Sequence, residues 1–268
     1  MSSSYSKSTG TYVALAAGAA VATYAYKSHN QQKTYDQIDI KNQTVEIDPV
    51  EHIRRCTFYK DIDIYTYHNI IYPNAHTLGN AFYNGYHVSK DGPCVADVNF
   101  ENKISPCNWM SYSMALERIR YIGSHLWTDV KLIPLKSKVA IISLNRPEFS
   151  FVEYACYMYG FVIAALYTSY DRTTVLSMLK RTEAQVLIVD NIDRIKPFKD
   201  QILQDTQIKE ILVTDEFESN EHEKIKSIPR ILKSMQQGDV RPLPKIDPET
   251  VATFILTSGT TGIKISQF

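Results

Sequence analysis

The chain has 268 residues, room for one large core or two small ones at about 150 residues per domain. At 44% hydrophobic and 22% charged it has a globular composition, which excludes wholesale disorder, a collagen and a polytopic membrane bundle. Lys+Arg and Asp+Glu both number 29, so no net field draws in a polyanion and no nucleic-acid partner is expected.

Residues 1–11 read as a leader. Residues 12–26, YVALAAGAAVATYAY, carry no charge and contain seven alanines. As a helix they span about 22 Å against a hydrocarbon core of about 30 Å. Lys7, Lys27 and Lys33 flank the segment, and Tyr12, Tyr24 and Tyr26 stand where an interfacial aromatic belt would. Ala14, Gly18 and Ala22 recur at a four-residue spacing that permits close helix contact. The leading reading is a short membrane anchor helix. A cleaved secretory signal and a frayed alanine helix on a leader are the alternatives. Residues 27–49, rich in Gln, Asn, Lys and Asp, read as a linker.

Residues 50–268 form the main body. Its four cysteines, Cys56, Cys94, Cys107 and Cys156, have no metal-knuckle or CxxC spacing, so buried free thiols in a reducing compartment are expected. Tyrosine is abundant, 18 residues against ten Phe and two Trp, and is read as half-buried rings. From Val50 to Asn108 the sequence predicts loops and short helices, with Thr77–Tyr86 as one helix. Ser111 is placed to cap a helix with Tyr112, Leu116, Ile119, Ile122 and Leu126 on its buried face and Arg118, Arg120 and Ser124 toward water. Lys138–Leu144 reads as a buried strand. Pro147 and Glu148 suit the first turn of the next helix, with Phe149, Val152, Cys156 and Tyr159 inward. Strands follow at Phe161–Tyr167, Val186–Val189, Glu210–Val213 and Val251–Leu256. Helices are expected after Asp171, over Ile195–Leu203 and over Lys226–Gln237. Glu216–Lys226 reads as a charged surface loop and Gly238–Pro248 as a connector. Alternating helices and strands, several of them apolar on both faces, predict an α/β fold with a partial doubly wound parallel sheet and flanking helices.

The chemistry sits after the last of these strands, at Thr257-Ser258-Gly259-Thr260-Thr261-Gly262. Two glycines let backbone approach a ligand closely, and successive N–H groups in such a turn form an anion-binding concavity. The hydroxyls add neutral donors and Lys264 a cation. The string is a candidate phosphate cradle, although it fits neither G-x-x-x-x-G-K nor G-x-G-x-x-G. No catalytic residue and no metal ligand is assigned.

TSGTTG after an apolar strand resembles the signature loop of the adenylate-forming enzymes. Asn145-Arg146-Pro147-Glu148-Phe149, Ala155-Cys156-Tyr157-Met158-Tyr159 and Leu166-Tyr167 are similar to runs of the long-chain fatty acyl-CoA synthetases among them. So are Asp91-Gly92-Pro93-Cys94, Trp109-Met110-Ser111-Tyr112 and Pro248-Glu249-Thr250-Val251-Ala252, all in collinear order from about Thr77 to Gly262. The resemblance implies the incomplete N-terminal domain of such an enzyme. It implies a fatty acid, ATP with Mg2+, and coenzyme A as reactants: the carboxylate attacks the α-phosphate to give an acyl-adenylate and pyrophosphate, and the CoA thiol then displaces AMP. In this resemblance residues 257–262 hold the β- and γ-phosphates. The family loop continues G-x-P-K-G, whereas here Gly262-Ile263-Lys264 lacks the proline and sets the lysine one position early. The adenine, ribose and Mg2+ segments and the mobile C-terminal domain would lie past Phe268, so the chain alone is expected to be inactive. A membrane-tethered scaffold and a stand-alone nucleotide-binding domain are the alternative functions. The expected location is a membrane, with the catalytic part cytosolic. Endoplasmic reticulum, peroxisome, lipid droplet and outer mitochondrial membrane are not separated.

Overall fold

The computed structural model describes residues 41–57, 74–98, 107–217, 222–257 and 264–267. The expected anchor at 12–26 lies outside them, and no helix among the described residues is long and apolar enough to cross a membrane. The chain divides into two compact units, 1–70 and 71–268. In the first, β1 (Thr44–Asp48) pairs antiparallel with β2 (Ile53–Cys56). The tail of the stretch read as a linker therefore includes a strand. Asp48 shapes the turn by accepting from the amides of Val50 and Glu51.

The second unit begins with helix α1 (Leu78–Ser89), capped by Thr77, whose Oγ1 accepts from the Asn80 amide at 3.1 Å. Strands β3 (Pro93–Val98) and β4 (Cys107–Ser111) then form an antiparallel ribbon. The sequence reading of loops and short helices missed this ribbon because its strands alternate weakly and its turn signals were stronger than its pattern. Helix α2 (Tyr112–Thr128) buries Ala115, Ile119, Ile122 and Leu126 at the spacing of one helix face. Ser124, expected toward water, is instead fully buried, because helix α3 (Pro147–Tyr159) crosses at Gly123 and brings Tyr159 onto it. The Ser124 hydroxyl lies 3.0 Å from the Tyr159 hydroxyl and accepts from the Arg241 amide at 2.9 Å, while Tyr159 also donates to the Arg241 carbonyl at 3.1 Å. Arg120 is likewise half-buried, with its Nε unpartnered. In α3 the fully inward aromatic rings are Phe151 and Tyr159; Phe149 is only half-buried.

Strands β5 (Lys138–Ile142), β6 (Val162–Ala165), β7 (Val186–Val189), β8 (Glu210–Val213), β9 (Ile225–Ser227) and β10 (Thr253–Thr257) pair in parallel in the order β10-β6-β5-β7-β8-β9. A last strand, β11 (Lys264–Gln267), adds antiparallel to β10. Helices α4 (Arg172–Thr182), α5 (Lys199–Asp205) and α6 (Ile228–Ser234) complete the unit. Ile195–Phe198 is not helical as expected: a single turn at Ile192–Arg194 precedes it, and α5 starts four residues late.

Strand residues alternate between two cores. Val139, Ile141, Val186, Ile188 and Leu212 face α2, α3 and α6, whereas Ala140, Ile142, Leu187, Val189, Ile211 and Val213 face α4 and α5. This is the doubly wound arrangement that the apolar strands predicted. The cysteines depart from expectation. All four are free, but only Cys156 is buried; Cys94 and Cys107 are half-buried and Cys56 is exposed.

Candidate functional site

In an open parallel sheet the crevice opens where successive connections leave in opposite directions. Here the chain leaves β5, passes through α3 to β6 on one side, and returns through α4 to β7 on the other. The switch lies between β5 and β7. The segments leaving the strands there are Ser143–Arg146 after β5, Leu166–Tyr170 after β6, Asp190–Asn191 after β7 and Thr214–Asp215 after β8.

These segments are joined by a polar network. Asp190, 4% exposed, accepts at Oδ2 from the Leu144 amide (3.0 Å) and Arg194 Nη2 (2.7 Å), and at Oδ1 from Arg194 Nε (2.6 Å) and the Asn191 amide (2.9 Å). Burial by itself would raise the Asp190 carboxyl, but the Arg194 guanidinium and the two amides hold it below the usual carboxylate range. Asp215 accepts from Arg146 Nη1 at 2.7 Å and from the Asn191 side-chain amide at 3.2 Å, and Arg146 Nε donates to Glu148 at 2.8 Å. Burial would lower the Arg146 guanidinium, yet Glu148 and Asp215 raise it. Sequence reasoning missed this network. Its signal was present as charged residues within two positions of strand ends, Val189-Asp190 and Val213-Thr214-Asp215.

Beside the crevice, a cavity of about 660 Å3 runs between the β3–β4 ribbon and the first turn of α3. Asn145, Arg146 and Ser150 give it a polar end, and Val95, Val98 and Trp109 an apolar wall. Trp109 is 58% exposed. A second cavity, of about 710 Å3, lies at the opposite, amino edge of the sheet, beside His125, Asp129, Lys226 and Arg241. Its ionisable groups are largely spent on one another: His125 contacts Glu210 at 2.7 Å and Asp129 at 3.0 Å, and Lys226 also pairs with Glu210.

β10 lies beside β6, so its carboxyl end opens on the same edge as the switch. Thr257 is the last residue of β10 and pairs across the hairpin with Lys264, the first of β11. Of the sequence-derived site, these two backbone positions are described; Ser258, Gly259, Thr260, Thr261 and Gly262 lie outside the described residues. Among the described residues no group of three or more His, Cys, Asp or Glu side chains converges on a metal position.

Sheet order and switch point define an α/β protein whose ligand crevice stands at the carboxyl edge. The chain belongs to the AMP-binding enzyme family, whose model matches residues 89–263, more than half of its length. It is 26% identical over 250 residues to long-chain-fatty-acid–CoA ligase 5 of Rattus norvegicus, covering 90% of this chain and 35% of that protein. To the Homo sapiens ligase 6 it is 26% identical over 271 residues, 96% of this chain and 37% of the relative. Coronafacic acid ligase from Pectobacterium brasiliense shares the fold with a TM-score of 0.57 at 16% identity, over 71% of this chain and 35% of that one. The chain thus spans about a third of the length of the curated relatives it matches.

Proposed function

We propose that this chain is the nucleotide-handling part of a long-chain fatty acid–CoA ligase, which joins a fatty acid to coenzyme A through an acyl-adenylate at the expense of ATP. One observation carries the reading: the family match runs to residue 263, through a strand that the sheet order sets beside β6 at its carboxyl edge. There the backbone amides and hydroxyls of Thr257, Ser258, Gly259, Thr260, Thr261 and Gly262, with Lys264, hold the β- and γ-phosphates. Neutral donors with a single cation suit a polyanion that must depart as pyrophosphate. The Arg146, Glu148, Asp190, Arg194 and Asp215 network is internally paired and carries a net charge of −1, so it is not the phosphate ligand. Mg2+ would neutralise the phosphates as ATP binds; among the described residues no group of three or more His, Cys, Asp or Glu side chains converges to hold it.

The fatty acid, ATP and coenzyme A are the reactants of the whole enzyme, and residues 12–26 tether it to a membrane into which long acyl chains partition. Equilibrium titration of the 268-residue chain with ATP and with pyrophosphate tests the reading. Saturable binding abolished by Gly259→Val is expected, since a β-branched side chain would fill the cradle. Binding indifferent to that substitution would overturn it. The same purified chain, given palmitate, ATP, Mg2+ and coenzyme A, is expected to release no acyl-CoA. Flotation with phosphatidylcholine vesicles, lost on removing residues 1–27, is the corresponding test of the tether.

A further inference from the structure

Four strand-exit segments converge on Asp190, and the two shortest contacts it makes are to one side chain. Arg194 meets both carboxylate oxygens, at 2.6 and 2.7 Å, and its remaining nitrogen, Nη1, donates to the Thr168 carbonyl at 3.4 Å. Thr168 lies in the segment leaving β6, the strand that β10 pairs with at Ile163, Ala164 and Ala165. Asp190 itself holds the amide of Leu144, the second residue after β5. Its backbone extends the tie: its carbonyl accepts from the Thr214 hydroxyl at 3.2 Å and from the Asp215 amide at 3.1 Å, beyond β8.

We propose that Asp190 and Arg194 are a positioning pair for the carboxyl-edge crevice. One bidentate ion pair fixes the segments leaving β5, β6 and β7 against each other, and so sets the ledge beside which the end of β10 stands. Both groups act through the backbone they hold and neither touches a ligand. A planar fork is required, because only a guanidinium can span both oxygens of Asp190 and still reach a carbonyl on the neighbouring strand exit. The consequence for ligand binding rests on the function proposed above; the consequence for the ledge does not.

Arg194→Met alone leaves a buried carboxylate unpaired and is prone to fail in folding. The informative variant is therefore Asp190→Asn with Arg194→Met. It removes both charges and keeps an acceptor for the Leu144 amide, but it unties Thr168. Two measurements are made on the intact chain. In hydrogen exchange, amides of 166–170 are expected to exchange about tenfold faster than in the unsubstituted protein, with those of 124–129 at the opposite edge unchanged. In pyrophosphate titration well below the melting temperature, affinity is expected to fall about tenfold, and Arg194→Lys, which keeps charge but not the fork, is expected to lie between. Unchanged exchange at 166–170 would overturn the inference. So would exchange that rises equally at both edges, which marks general loosening. Faster exchange confined to 166–170, with no pyrophosphate binding by the unsubstituted chain, would uphold the positioning role and overturn the function instead.

Discussion

Two glycines set how closely the helices and strands of the second unit approach. At Gly123 an added Cβ would come within 2.2 Å of the Tyr159 ring, so α2 and α3 cross at the distance that glycine allows. Gly123→Ala is expected to cost about 2–3 kcal/mol in denaturant unfolding, because Tyr159 is fully buried and has nowhere to turn. At Gly160, φ is +71° and a Cβ would meet Ile246 at 2.8 Å and Leu135 at 2.9 Å. Gly160→Ala is expected to cost about 1–3 kcal/mol by the same measurement. Glu210 is the residue through which pH acts at the amino edge. Burial alone would raise its carboxyl, but hydrogen bonds and charge from His125 and Lys226 hold it below the usual glutamate range. A depressed folded value means that the stabilisation is present above the ordinary glutamate pKa and disappears as pH falls through the folded one. Melting temperature should therefore drop as pH is lowered from about 5 toward 3, and Glu210→Gln should flatten that part of the curve.

At the scale of elements, capping was legible where it is local and hidden where it is tertiary. Ser111 before Tyr112 marked the start of α2, and its hydroxyl does accept from the Met114 amide, though at 3.4 Å. The shorter bonds come from Asp91, twenty-two residues earlier, which accepts from both the amide and the hydroxyl of Ser113 at 2.7 Å. Asp91→Ala should therefore lower the melting temperature more than Ser111→Ala, and the reverse order would show that the local cap dominates. The strands β5, β7 and β8 were readable because both their faces are buried, leaving continuous apolar runs such as Val186–Val189. The three-residue β9 was not, because its neighbours in sequence are charged and its pairing to β8 is decided by the sheet. The string Thr257–Gly262 was legible only as a candidate phosphate cradle, from its glycines and hydroxyls. The Asp190 network was not, since its members come from four strand exits that only the fold brings together.

For the molecule as a whole, the sheet order explains why the two edges differ in chemistry. Helix-connected parallel strands put every strand exit on one edge, where Asp190 and Asp215 are tied to arginines. At the amino edge His125 and Lys226 pair with Glu210. Amides of β5 and β7, central in the sheet, should be the slowest to exchange with deuterated solvent. Faster exchange there than in α2 would mean that the sheet is not the most stable part of the unit.

The pairing of β10 with β6 also bears on how the chain comes to be folded. Thr253 and Ile163 are direct partners but ninety residues apart in sequence. At about 5–20 residues per second of synthesis, β6 waits roughly 5–18 s with its outer edge bare after β5 has closed on the other. That edge is Val162-Ile163-Ala164-Ala165, short and uncharged, the kind of strand border that invites pairing with a neighbouring chain. Ribosome-bound intermediates that end between Ala165 and Thr253 should therefore be the stage at which this protein most needs a chaperone.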